Sequence, residues 1–212
     1  MVCPVCNKRK VKRLCPALAQ SICTICCGTE REVSIDCPSD CEYLAASRAY
    51  DAERRQIDFS VMPFADVKID EGFLRDHDNL LTAVDYALCQ FAAAHREVVD
   101  IDVVAALQAL AESYRTLATG IYYEKPLDNP LQRAIIEKLK AAIEEFRKDD
   151  TARAGMTTLR DRDIRDGLIF LTQFAAVRAN GRPKGRSYLD FIRGHFAKEA
   201  FQKPASDLLV LP

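Results

Sequence analysis

The chain has 212 residues, 30 Lys and Arg against 31 Asp and Glu, and a net charge of −1. That length suits one ordinary domain with a small appendage. The near-zero charge excludes a global field drawing the protein to nucleic acid or membrane, so any such contact must come from a local patch. Only eight glycines, with 49% hydrophobic and 29% charged residues, describe a globular chain and argue against a loop-rich all-β fold.

Eight of the nine cysteines lie in the first 41 residues, spaced C-x2-C-x8-C-x7-C-x2-C-C-x9-C-x3-C. No basic stretch followed by an apolar one opens the chain, and no run of eighteen apolar residues occurs. The expectation is therefore a cytoplasmic protein, where thiols stay reduced and read as metal ligands. Cys3-x2-Cys6 and Cys23-x2-Cys26 are knuckle-type pairs, in which a tight turn aims two sulfurs at one ion. Cys37-x3-Cys41 suits the start of a helix. Zn²⁺ takes four ligands in structural sites and favours sulfur, so eight thiols fit two ions. The assignment is Cys3, Cys6, Cys23 and Cys26 for the first, and Cys15, Cys27, Cys37 and Cys41 for the second, with Cys26 and Cys27 open to exchange. An iron–sulfur cluster also wants four thiolates and stays open as an alternative, as does a thiol redox site. A 41-residue segment has too small an apolar core to fold unaided, so metal would supply its folding energy.

The module weakly resembles the HIT and MYND cross-brace zinc fingers in Cys3-x2-Cys6, the Cys15-Pro16 step and the Cys23 to Cys27 segment. It departs from them at Leu18, where that family places its fourth ligand, and ends in a Cys pair instead of His and Cys. The resemblance implies a protein-interaction role and Cys27 in place of Cys26 in the first site. Lys8, Arg9, Lys10, Lys12 and Arg13 crowd between the second and third cysteines. They could compensate thiolate charge or contact phosphate; the lack of Phe, Tyr or Trp before Tyr43 counts against base stacking.

From Glu42 onward the periodicity is helical. Residues 42–57 read as a linking helix capped by Ser39 or Asp40, and 59–72, with Pro63, as an extended connector. Apolar stripes at helical spacing cover 74–98, 101–119, 129–148, 161–179 and 187–202. Asp100 or Asp102 can cap the second of these; Pro130 suits the first turn of the third. Thr157 or Thr158 could start the fourth, and Asn180-Gly181 ends it as a left-handed cap. The fold expected is mainly α: a Cys-rich module (1–41), a linking helix and connector (42–72), an antiparallel bundle of about five helices (73–203) and an apolar tail (204–212).

Within the bundle, His77, His95 and His195 are the only histidines, and none follows a Glu by three, so a di-iron site is not expected. His195 and Glu199 are spaced as helical ligands can be. Cys89 reads as a buried thiol. Arg182, Lys184 and Arg186, with Arg178 and Arg193 nearby, form a basic loop open to an anion or nucleic acid. Tyr122 and Tyr123 follow Gly120 as a possible ledge for an enzyme site. No phosphate-loop, nucleophile-elbow or zinc-protease motif occurs, so no catalytic residue is named. The function expected is a zinc-stabilised binding or adaptor protein with a protein or nucleic-acid partner and no membrane contact.

Overall fold

The computed structural model describes residues 1–117, 120, 123–124, 126–156 and 158–201, with the side chain of Lys198 omitted. The expected Tyr122 half of the ledge, Thr157 and the tail 204–212 lie outside the described residues. The fold is mainly α, with a small cysteine-rich module ahead of a helical body.

The module opens on a knuckle: the Asn7 amide donates to the Cys3 carbonyl and the Cys3 amide to that of Arg9, with Asn7 in the left-handed region at φ 52°. Strands β1 (Arg13–Cys15) and β2 (Gln20–Ile22) pair antiparallel, Cys15 opposite Gln20. Helix α1 (Thr24–Thr29) follows at once, its N-terminus capped by the Cys23 sulfur, which accepts from the Cys26 amide. Ile22 and Ile35 pack among Cys3, Cys15, Cys23 and Cys26 in a small core of the module's own.

Helix α2 (Glu42–Arg54) starts directly after Cys41, which takes the N-cap position without a side-chain bond; Ser39 and Asp40 do not cap it. The connector contains a 3₁₀ turn at Phe59–Val61 and the short helix α3 (Glu71–Asp76), capped by the Asp70 carboxylate. The helix expected over 74–98 is thus broken. α3 ends at His77, and α4 (Asp78–Ala94) restarts immediately. Asp76, His77, Asp78 and Asn79 are poor helix-interior residues whose side chains compete for the backbone. The His77 ring does so directly, bonding the Phe73 carbonyl through Nδ1 at 3.0 Å and stacking on Phe73.

Helices α5 (Asp100–Leu117), α6 (Pro130–Ala154), α7 (Asp161–Arg178) and α8 (Ser187–Arg193) complete the body. Asn129 caps α6 and Pro130 occupies its first turn. α5 packs on α6 and α7; α4 packs on α6, α7 and α8. One core joins them, with Leu88, Leu107, Leu110, Ile135, Leu139, Ile143, Ile164 and Leu168 essentially inaccessible. Each such side chain contributes roughly 1.5–3 kcal/mol of burial before entropy is counted. The last expected helix stops at Arg193; Lys198–Phe201 form a separate 3₁₀ turn, so His195 and Glu199 do not share a helix.

Two aspartates, Asp100 buried and Asp85 half-buried, tie α8 to its neighbours. The Asp100 carboxylate, at the start of α5, accepts from the Tyr188 and Leu189 amides at 2.9 and 3.1 Å. Asp100 therefore caps α8, not the helix the sequence pattern assigned it to. Asp85 on α4 accepts from the Tyr188 hydroxyl at 2.8 Å. Burial pushes both carboxyls up to about 6, against the lowering effect of these same donors.

Candidate metal centre

The two knuckles and the start of α1 converge. The sulfurs of Cys3, Cys6, Cys23 and Cys26 all lie within 4.8 Å of one another, with Cys6 and Cys23 at 4.0 Å. A tetrahedral ion with Zn–S bonds of about 2.3 Å needs sulfur–sulfur edges of about 3.8 Å. The group is therefore close to a closed coordination sphere. Cys3, Cys23 and Cys26 are buried and Cys6 half-buried. Cys26, not Cys27, completes the set, because α1 turns the two adjacent side chains to different sides.

The surroundings suit thiolates. The Cys23 amide donates to the Cys3 sulfur at 3.3 Å and the Cys26 amide to the Cys23 sulfur at 3.4 Å. Cys23 foremost, with the charges of Cys6 and Cys26, raises the Arg9 guanidinium above its ordinary value. Burial works against ionisation of Cys3, but the amides of Cys23, Cys6 and Val5 outweigh it and bring the thiol down to about 6. The amides of Lys8 and Arg9 lower Cys6. Cys26 goes the other way, up to about 12, through burial and the crowding of the other three sulfurs. Four sulfurs this close cannot all carry charge unless a cation sits among them. The donor set is all sulfur, which fits Zn²⁺ and equally an iron–sulfur cluster.

The remaining thiols of the module behave differently. Cys15, Cys27, Cys37 and Cys41 line one cavity of about 10 Å³, together with Arg13 and Arg31. Among the described residues their sulfurs do not reach the mutual spacing of the first group. The Cys27 sulfur accepts from Arg13 at 3.5 Å and from Arg31 at 3.7 Å. Burial tends to raise the Cys27 thiol, yet these two guanidiniums bring it below the ordinary value. Burial raises Cys37, as do the charges of Cys41 and Cys15, while the Glu32 amide opposes them. Cys89 lies in the body on α4, pushed up to about 12 by burial.

The basic residues singled out in the sequence, with Arg31 beside them, divide into three sets. Arg9, Arg13 and Arg31 face sulfur. Lys8, Lys10 and Lys12 are exposed and, among the described residues, make no ion pair. Arg182, Lys184 and Arg186 face the module: Arg182 donates to the carbonyls of Gly28 (3.3 Å) and Arg31, Lys184 Nζ to that of Ser34 at 2.7 Å, and Arg186 pairs with Asp36. Arg178 lies 3.6 Å over the Phe191 ring. The loop's donors are thus directed at protein groups, and the seam they form has no signature in the sequence. A cavity of about 360 Å³ opens along that seam, edged by Asp36, Cys37, Ser39, Arg96, Arg186 and Arg193.

At the seam's centre is Glu32, 2% exposed and invisible to motif reading. Its carboxylate accepts from Arg48 at 2.6 Å and Asn180 at 2.7 Å, and its carbonyl from the Lys184 amide at 2.8 Å. Arg48 also pairs with Asp190 at 2.6 Å, which accepts from Ser39 at 2.7 Å. No described helix is long and apolar enough to cross a membrane. No family model, curated protein or solved structure matches the chain.

Proposed function

We propose that the chain is a zinc-stabilised binding protein of adaptor type. Zn²⁺ is held by Cys3, Cys6, Cys23 and Cys26, a second Zn²⁺ by Cys15, Cys27, Cys37 and Cys41, and the outer face of the module meets a protein partner. The observation that carries the reading is the closure of four sulfurs, three buried and one half-buried, to within 4.8 Å. Four protein ligands leave no open position for substrate or water, which is the pattern of a structural ion. Such an ion makes a small segment rigid, and a rigid surface binds without a large ordering cost.

A protein partner is favoured by what the module exposes. Val2, Val5, Leu14, Leu18 and Ile25 are all solvent-exposed. Arg182, Lys184 and Arg186, by contrast, have their donors directed at the module. Lys8, Lys10 and Lys12 keep a nucleic-acid partner as the second reading. Salt separates the two. Phosphate contacts by three lysines would make the affinity for a generic duplex fall steeply with added salt; absence of duplex binding at low salt removes that reading. Metal content and absorbance of anaerobically purified protein test the ion itself. A colourless preparation with about two zinc ions per chain supports the proposal, and visible absorbance with iron and sulfide replaces it with an iron–sulfur protein.

A further inference from the structure

We propose that the ion held by Cys15, Cys27, Cys37 and Cys41 is the pin that docks the cysteine module on the helical body, whereas the ion of Cys3, Cys6, Cys23 and Cys26 holds only the module's outer part. The proposal rests on the two-ion reading above and adds a division of labour between the ions.

The arms of the seam spring from residues beside the second set of thiols. Arg31 bonds the Cys27 sulfur through its side chain at 3.7 Å while its carbonyl receives Arg182. Glu32 stands midway between Cys27 and Cys37 in the chain; its carbonyl takes the Lys184 amide, and its carboxylate takes Arg48 and Asn180. Asp36, next to Cys37, pairs with Arg186. Ser39, between Cys37 and Cys41, bonds Asp190. Cys41 starts α2, and two turns later that helix presents Arg48 to Glu32 and Asp190. Among the described residues, Cys3, Cys6, Cys23 and Cys26 make their polar side-chain contacts inside the module.

Glu32 supplies a second, independent observation. Its backbone lies in the left-handed region at φ 53°, a conformation that crowds the Cβ of any non-glycine residue. Such strain persists only where surrounding contacts over-determine it. Here the carbonyl and the carboxylate are held by the body. An ion gathering Cys27, Cys37 and Cys41 would fix the 31–39 loop in the shape that presents Arg31, Glu32, Asp36 and Ser39 to the body together. Without it, four thiols and two guanidiniums surround a small hollow, and the loop loses the tie that offsets the strain.

The test uses the full chain with Cys41→Ser and, separately, Cys6→Ser. Two readouts are taken: zinc per chain, and hydrogen–deuterium exchange of the Lys184 amide, which donates across the seam and sits far from any cysteine in sequence. The expected result is loss of one ion in each variant, with Lys184 exchange at least ten-fold faster only in Cys41→Ser. Equal acceleration in both variants, or continued protection in Cys41→Ser despite the lost ion, overturns the pin. Full zinc content in Cys41→Ser overturns the two-ion reading beneath it. Should a variant fail to fold, stepwise chelation of the parent chain serves instead. Lys184 exchange must rise with loss of one ion and not the other; a rise proportional to total zinc lost contradicts the proposal.

Discussion

Arg48 and Glu32 meet at 2.6 Å across the junction of module and body, with the Glu32 carboxylate almost wholly shielded from water and Arg48 about one-fifth exposed. Asn180 and Asp190 complete the cluster from the body side. Removing one partner of a buried pair leaves the other charge desolvated, which costs about 3–5 kcal/mol. Arg48→Ala is therefore expected to lower unfolding free energy by that order in chemical denaturation. Glu32→Gln keeps the shape and removes the charge, and should cost less. A loss below about 0.5 kcal/mol for Arg48→Ala, the size typical of an exposed pair, would show that the cluster does not hold the junction.

Gly185 is buried beneath that junction, and its carbonyl accepts from the Asp100 amide. A Cβ there would stand 2.3 Å from the Asn180 side-chain oxygen and 3.1 Å from the Arg182 carbonyl. Asn180 cannot simply swing away, because it bonds both Glu32 and the Arg182 amide. Gly185→Ala should cost about 1–3 kcal/mol by overpacking and speed proteolysis between module and body. Gly155, which ends α6 with φ 73° and has open space around it, gives a control: Gly155→Asn should be tolerated far better, since Asn accepts the left-handed region.

The five body helices were legible because their apolar residues recur at helical spacing, and the first four-sulfur group because paired knuckles two residues apart permit few other geometries. The junction was not legible. Arg182, Lys184 and Arg186 find carbonyls and carboxylates some 150 residues away in sequence, and backbone acceptors carry no residue signature. The same holds for Glu32, one acidic residue among 31. The break at His77 was hidden because Leu74 and Leu81, seven residues apart, continue the stripe across it. Asp100 was read as a local cap because sequence proximity favours α5, whereas the fold presents the start of α8 to its carboxylate.

Asp85 and Asp100 make stability depend on pH. Both are raised to about 6 by burial, so each holds its proton more tightly folded than unfolded. Their contribution is complete below about pH 4 and is lost as pH rises through about 6, by about 2–3 kcal/mol per group. Asp85→Asn retains an acceptor for the Tyr188 hydroxyl and carries no charge. It should flatten the stability profile between pH 4 and 7 and be the more stable protein at pH 7. A parallel profile for variant and parent would mean that Asp85 titrates as it does in the unfolded chain.

Metal removal should act unevenly. The module has a small core made largely of cysteines, while the body has a continuous apolar core of its own. A chelator is expected to release amide protection over residues 1–41 while α4 to α7 keep most of their helical circular dichroism. Loss of both in one transition would show that module and body unfold as a single unit.

The most direct measurement of the central claim is zinc content together with thiol reactivity on protein purified without oxygen. If Cys3, Cys6, Cys23 and Cys26 close on Zn²⁺, the protein carries zinc stoichiometrically, and these thiols stay unreactive to alkylation until a chelator is added. Zinc-free protein in which those four cysteines alkylate freely, or are joined to each other as disulfides, would contradict the account.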